Sequence, residues 1–230
     1  MHDRRAIVLT LGCLAFGCAP AAPPAPPPIA QVGTELPDDL VVAPGDFDGC
    51  AVEGTAIPAS VRALNVLKNR SAEPTAQDID TMVTLGSMLV PDSNDTGRFD
   101  AARAVLITAV VYRVLEGGVE TTNCRATDSL HRDAHIELIL TPDDSAQTRR
   151  VIVEVTPRWR AAAESHGVDW STASLARSLT GRRVLVRGWL MFDFEHAGQS
   201  ENTNPGGASD WRATAWEIHP VTNLGVLPGP

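Results

Sequence analysis

The sequence predicts a mainly β protein with helices, an α+β fold whose core is a five-stranded β-barrel preceded by a short helical segment. Three observations lead to this prediction. Five segments from residue 103 onward are rich in β-branched and aliphatic residues, as buried strands are. Helical segments interrupt them after the third, and turn-forming residues separate the others. A hydrophobic content of 43% is ordinary for a globular protein.

The chain begins with a segment that is typical of a secretion signal. A short basic stretch precedes the apolar run Ala6–Phe16, which is too short to span a membrane as a helix. Residues Leu14–Cys18, LAFGC, resemble the lipobox of bacterial lipoproteins. The resemblance implies that residues 1–17 are a signal peptide, that Cys18 carries the lipid and that Ala19 directs the protein to the outer membrane. Plain secretion and a retained anchor are the alternatives.

A proline-rich spacer follows the anchor site. Residues 19–31 read APAAPPAPPPIAQ and lack the backbone donors that helices and sheets need. We assign residues 18–45 to the anchor site and this linker, which would hold a folded domain off the membrane. Residues 46–100 are predicted to form a helical N-terminal segment packed on the barrel, and residues 101–230 the barrel domain. The expected location is the cell envelope, facing the periplasm or the cell surface.

The cysteines agree with an oxidising compartment. Cys13 leaves with the signal and Cys18 is committed to the lipid, so that Cys50 and Cys124 remain. Two thiols that remain in such a compartment commonly pair, which predicts a Cys50–Cys124 disulfide. The alternative is two separate small buried side chains.

The charge of the chain argues against nucleic acid as a partner. The full chain has 19 basic and 28 acidic residues, a net charge of −9. Loss of Asp3, Arg4 and Arg5 with the signal leaves 17 against 27, or −10. Such a surface repels phosphate backbones. The expected partners are the membrane, through the lipid, and an unknown envelope protein, glycan or small ligand.

The segment before the barrel contains one clear helical pattern. Pro58 opens PASVRALNVLKNR, in which apolar residues fall near one helical face and basic residues fall away from it. We expect the apolar face to pack on the barrel and the basic side chains, Lys68 among them, to point to solvent. Residues 76–90 are predicted to add a second short helix, interrupted at Gly86.

The rest of the chain alternates between strand and helix signals. Ser171 is a plausible N-cap, and Pro157 suits the first turn of a helix. The turn-rich TPDDSAQT joins the second and third strands as a hairpin. The predicted elements are strands at 103–118, 134–140 and 149–155, helices at 157–167 and 171–181, and strands at 182–193 and 212–227.

Three strands, a helical insertion and two further strands resemble the OB-fold in order. The phrase LTGRRVLVRGWL, residues 179–190, adds to the resemblance because OB-folds often enter the fourth strand through a Gly-basic-apolar alternation. The resemblance covers about residues 103–227, is one of topology, and implies a Greek-key barrel with its helix between strands three and four. Another small barrel or a sandwich is the alternative, and no named family is assigned.

Polar residues that alternate along the second and last strands are candidate functional residues. Asp133, His135 and Glu137 share one face, because side chains of a strand alternate between its two sides. The same rule puts Glu217 and His219 on one face of the last strand, with Trp216 and Ile218 opposite. We expect Trp216 and Trp189 in the core. Glu217 and His219 are expected to point outward and to bond to Asn202 or Asn204 of the loop 197–210.

That loop and its ends form the predicted binding surface. Loops of this length in a compact domain are often functional, and Trp211 is the tryptophan best placed to be an exposed platform. The binding residues predicted are His196, Asn202, Asn204, Trp211, Arg212, Glu217 and His219. No cofactor is required, and the alternative is a divalent metal such as Zn²⁺ held by His135, His196 and His219.

Two functions are compatible with these residues. The first is a non-catalytic, lipid-anchored envelope protein that binds a protein, glycan or small ligand through the loop end of the barrel. The second is a metal-dependent envelope hydrolase that uses the His/Glu set, and no nucleophile motif such as G-x-S-x-G supports a metal-free one. A nuclease-like variant would use the carboxylates and arginines Asp133, Glu137, Glu154, Arg158 and Arg160.

Overall fold

The structure is a computed structural model that describes residues 34–37 and 40–228. The predicted signal peptide, residues 1–17, and the lipidation site Cys18 lie outside the described residues. In the described part of the chain, no helix has the length and apolar character needed to cross a lipid bilayer.

Five strands close into one barrel, which confirms the predicted fold class. Going around the barrel the order is β1-β2-β3-β5-β4, with β4 returning to β1. All neighbours are antiparallel except β3 and β5, which are parallel. With its helices between β3 and β4, the domain has the OB-like topology. The strands are β1 (Ala104–Glu116), β2 (Ala134–Ile139), β3 (Val151–Val155), β4 (Arg183–Phe192) and β5 (Trp216–Val226).

The helices lie where the sequence predicts them, with one exception. Pro157 is the first residue of α3, and the hydroxyl of Ser171 caps α4 by accepting from the backbone N–H of Ser174 at 3.3 Å. The exception is the segment 76–90, where the helix is limited to four residues, includes Gly86 and follows turns that Asp78 and Asp80 hold by bonding to nearby backbone N–H groups. The helices are α1 (Ala59–Lys68), α2 (Leu85–Met88), α3 (Pro157–Ser165) and α4 (Thr172–Leu179).

The apolar sides of the strands face one core inside the barrel. Trp216 belongs to it, and its ring packs edge-on against Phe99 and Phe192 at centroid distances of 5.5 Å. Trp189, which was also expected in the core, is only half-buried. Its Nε1 donates to the carbonyl of Ala72 at 2.7 Å, so it holds the N-terminal segment against the outside of the barrel.

The described residues of the predicted linker pack against the barrel. The apolar side chains Leu36, Leu40 and Val42 are buried in the core cluster. The carbonyl of Thr34 accepts a 2.8 Å hydrogen bond from Trp170 Nε1, and the backbone N–H of Leu36 donates to an amide side chain of β5. Parts of the predicted linker therefore belong to the folded domain.

Gly188 allows β4 to pass close to β5 where the ladder between them shifts register. A Cβ at this position would lie 2.4 Å from the carbonyl oxygen of Pro220 and 2.5 Å from Cγ2 of Ile218. We expect Gly188→Ala to lower the free energy of unfolding by about 1–3 kcal/mol, because the backbone of β5 must shift. Denaturant titration measures this. The control is Gly198→Ala, whose Cβ would have no heavy atom within 4 Å; equal losses in the two variants would contradict the explanation.

Candidate functional site

The outer face of β2, β3 and β5 carries a row of charged and imidazole side chains. His135 stands opposite Glu154 in the β2–β3 ladder, and His135 Nδ1 lies 2.7 Å from Glu154 Oε1. The parallel β3–β5 register pairs Ile152 with Glu217 and, continued along the strands, brings His219 beside Glu154. His219 Nδ1 lies 3.2 Å from Glu154 Oε2. Strand alternation thus joins the candidates of the two strands in one cluster.

Glu217 and His219 point outward from the barrel, as the sequence predicts, but this outer face is buried. Glu217 is 2% exposed and His219 is 0% exposed. The predicted bonds to the loop asparagines are wrong, because Asn202 donates to Asp95 and Asn204 to the carbonyl of Gly198. Glu217 pairs instead with the guanidinium of Arg212, in one of the segments that cover the face.

Lys68, in the last turn of α1, covers the face from one side. The sequence predicts that Lys68 points to solvent, yet it is 2% exposed. Its Nζ lies 2.8 Å from Glu120 Oε2 and 3.1 Å from Asp193 Oδ2. Burial by itself would lower the pKa of Lys68, but these carboxylates outweigh it and hold the pKa well above its usual value. The helix therefore packs a partly polar face on the barrel.

The connection between β1 and β2 covers the face from a second side. The predicted disulfide is present, with the Cα atoms of Cys50 and Cys124 5.8 Å apart. Asn65, in α1, donates to the side-chain hydroxyl of Thr121 at 3.2 Å. Asn69, directly after α1, donates to the carbonyl of Thr122 at 3.1 Å. The disulfide and these amides fix the connection to α1.

The loop between β4 and β5, residues 193–215, covers the face from a third side. It is anchored by Asp95, whose Oδ2 accepts from the Thr214 hydroxyl at 2.7 Å and from the Ala215 N–H at 3.2 Å. The carbonyl of Asp95 also accepts from Trp216 Nε1 at 2.6 Å. The sequence gives no sign of this role, because Asp95 lies in a turn-rich stretch about 120 residues before its partners.

A cavity of about 280 Å³ remains between the strands, the β1–β2 connection and the β4–β5 loop. Trp211, the predicted platform, stands at its edge with its ring centroid 5.6 Å from that of His135 and 5.9 Å from that of His196. The guanidinium of Arg212 lies 4.7 Å from the Trp211 centroid and pairs with Glu217. The charged side chains lining the cavity include Arg113, Glu116, Glu120, Glu137, Glu154, Asp193, Arg212 and Glu217.

Burial raises the pKa values of the acidic groups, whereas pairing with cations lowers them. Burial would raise the pKa of Glu217, but the charge of Arg212 outweighs it and holds the pKa well below its usual value. Asp133 has no such partner within the described chain, and burial raises its pKa to about 7. The acidic groups of the cluster are therefore not equivalent, and Asp133 is the one whose charge is least compensated.

His196 should make stability depend on pH. Its Nδ1 lies 2.9 Å from Asp193 Oδ2, and this hydrogen bond raises its pKa above the usual value. A raised folded-state pKa adds stability that is complete below the unfolded pKa of about 6.5 and is lost as the pH rises through the folded value. With a chelator present, the wild type should exceed His196→Gln in unfolding free energy by more at about pH 6 than at about pH 9. A difference that does not change with pH would contradict the pairing.

The three histidines predicted as metal ligands surround the cluster without forming one set. Among the described residues, two groups have one possible ligand atom from each residue within 4.8 Å of the others, Asp133 with Glu154 and His219, and Asp193 with His196 and Glu217. His135 belongs to neither group. The arginines of the nuclease-like hypothesis are bound elsewhere, because Arg158 donates to Asn69 and Gly45 and Arg160 donates to four backbone carbonyls.

Comparison of the chain with known protein families, with curated proteins and with solved structures finds no match. The fold and the cavity are therefore the basis for a functional proposal.

Proposed function

We propose that the protein is a lipid-anchored protein of the cell envelope whose barrel binds a small, positively charged ligand in the cavity beside Trp211. One observation carries the proposal. OB-folds bind ligands on the face of strands two and three, between the β1–β2 and β4–β5 loops. The cavity lies at this place, with His135 and Glu154 as its floor and Glu120 and Trp211 in the two loops.

The charge of the cavity supports a cationic ligand. Seven carboxylates line the cavity or lie next to it, and five lysine and arginine side chains pair with members of this group. When all seven carboxylates are ionised and the imidazoles are neutral, two negative charges therefore have no fixed cation. Unpaired negative charge at a site shielded from water attracts cations and repels phosphates. The seven are Glu116, Glu120, Asp133, Glu137, Glu154, Asp193 and Glu217, and the five are Lys68, Arg113, Arg132, Arg150 and Arg212.

The size and shape of the cavity limit the ligand to a small molecule or ion. Its volume of about 280 Å³ is at the lower end for small-molecule sites, which begin at roughly 300 Å³. Trp211 adds an aromatic ring, and aromatic rings favour ammonium and guanidinium groups. A polymer such as a glycan chain or nucleic acid could place only one unit there.

The proposal is tested by calorimetric titration of the full chain with spermidine, agmatine, Zn²⁺ and Mn²⁺ as cations, and with phosphate, glutamate and glucose as other probes. At least one cation should bind with one-to-one stoichiometry, and the other probes should not. Trp211→Ala should weaken binding of an organic cation about tenfold. Trp189→Ala, a half-buried tryptophan outside the cavity, is the matched control and should bind as the wild type does. Binding of phosphate or glucose without any cation would refute the proposal.

The anchor part of the proposal is supported by the lipobox-like LAFGC sequence and the proline-rich stretch after it. Expressed in a Gram-negative host, the protein should fractionate with membranes and incorporate labelled palmitate. Cys18→Ser should abolish the label and release the protein into the soluble fraction. Recovery of the unmutated protein in the soluble fraction would argue against the anchor.

A further inference from the structure

The two groups that could hold a metal differ in whether their ligand atoms already have partners. In the group of Asp193, His196 and Glu217, Asp193 Oδ2 contacts His196 Nδ1 at 2.9 Å and Lys68 Nζ at 3.1 Å. The guanidinium of Arg212 pairs with Glu217 Oε1. The carboxylates of this group are therefore neutralised by side chains of the protein and need no ion.

The group of Asp133, Glu154 and His219 has the opposite character. Asp133 Oδ1 and His219 Nε2 are buried atoms without a hydrogen-bond partner in the described part of the chain, and Glu154 Oε2 makes no hydrogen bond there although it lies 3.2 Å from His219 Nδ1. All three residues are at most 5% exposed. Buried polar atoms without partners are costly and rare, and their presence in one group indicates a bound species that satisfies them.

The remaining atoms of these residues are held in place by neighbours. Asn123 Nδ2 donates to Asp133 Oδ2 at 2.9 Å, and His135 Nδ1 lies 2.7 Å from Glu154 Oε1. His219 Nδ1 lies 3.4 Å from Glu217 Oε2. Outer hydrogen bonds of this kind orient the ligands of metal sites, and imidazoles that bind metals commonly contact a carboxylate with their other nitrogen.

The carboxylates of the cluster that have no lysine or arginine partner belong to this same group. Within the described chain, the ion-pair partners of Glu154 are His135 and His219, and Asp133 is held by a neutral amide. Lysine or arginine pairs with each of the other carboxylates of the cavity. Asp133 and Glu154 are therefore the two carboxylates without a lysine or arginine partner, and a single divalent cation would neutralise both when they are ionised.

We propose that Asp133, Glu154 and His219 bind a divalent first-row metal ion such as Zn²⁺ or Mn²⁺. This inference rests on the proposed function and identifies the bound cation as a metal ion. Two carboxylates and one imidazole suit such ions, whereas Ca²⁺ and Mg²⁺ favour all-oxygen sites. Three protein ligands leave at least one coordination position for water or an added ligand. Because Glu154 also lines the cavity, the ion is reached from there.

The test uses the full chain without a His-tag, stripped with EDTA and then titrated with Zn²⁺ or Mn²⁺. Calorimetry and elemental analysis should find one equivalent of metal per chain, and the melting temperature should rise with metal. The isosteric variants Asp133→Asn and Glu154→Gln should each weaken binding at least tenfold and remove most of the rise in melting temperature. Circular dichroism checks that each variant folds, and one folded variant is enough for the comparison.

The control for surface binding is His131→Gln. His131 lies between Asp48 and Asp128 on the surface, at 2.7 Å and 2.8 Å, and its loss should leave the stoichiometry at one. Wild-type protein that binds no metal overturns the metal site, and so does stoichiometric metal that both isosteric variants retain. If agmatine or spermidine still binds in either case, the proposed function stands. If no cation binds, both proposals fail.

Discussion

Lys68→Met is expected to lower the free energy of unfolding by about 3–5 kcal/mol, because it leaves buried carboxylates without their cation. Lys68 contacts Glu120 and Asp193 directly, and its charge also acts on Glu154 and Glu217. Methionine keeps most of the volume, so the loss would report the charge rather than a cavity. Urea titration at neutral pH measures the change.

The matched control is Arg62→Met on the same helix. Arg62 is exposed, and its guanidinium donates to the carbonyl of Ile57. Its loss should cost less than about 0.5 kcal/mol, as is usual for surface positions. Adding Asp193→Asn to Lys68→Met should recover part of the stability, because it removes one of the unpaired charges. Equal effects of the Lys68 and Arg62 variants would contradict the buried ion-pair cluster.

Removal of the disulfide should have an effect of similar size. The bond between Cys50 and Cys124 spans 74 residues, and the loop-entropy relation gives about 4 kcal/mol for a loop of that length. The double variant Cys50→Ala/Cys124→Ala should therefore unfold at a clearly lower denaturant concentration. The β1–β2 connection that carries Glu120 should become the least stable part of the site, which hydrogen exchange would detect.

Treatment with a reductant distinguishes the effect of losing the disulfide bond from the effect of replacing the cysteine side chains. Dithiothreitol should destabilise the wild type by about as much as the double substitution does, and it should leave the double variant unchanged. Non-reducing mass analysis of the wild type should find both cysteines in one linked peptide. A reductant effect on the double variant would show that the loss comes from something other than this bond.

The strands and their order could be predicted because the signals that specify them are local. Alternation places Glu217 beside His219 on one side of β5 and Trp216 with Ile218 on the other. The β2–β3 hairpin follows from the turn residues between them. Strand alternation identifies which side chains share a face of the sheet, but it does not identify which segments cover that face.

The state of that face could not be predicted because three distant segments decide it. Alternation places Glu217 and His219 on the outside of the barrel, but it does not show that α1, the β1–β2 connection and the β4–β5 loop bury them. The apolar pattern of α1 was misleading for the same reason. Val66 on its apolar face is 38% exposed, and Lys68 is buried because the surface opposite the helix carries carboxylates.

Lys68 lies in α1, which precedes the barrel in the chain, and this limits where the polypeptide can be cut without disturbing the domain. A polypeptide that began at β1 would retain Glu120, Asp193 and Glu217 but would lose their shared lysine and half of the disulfide. It would also lose Leu36 and its neighbours from the core. We therefore expect that the barrel does not fold on its own, and that fusion, transplantation or circular permutation succeeds only when the sequence from Thr34 onward moves with it.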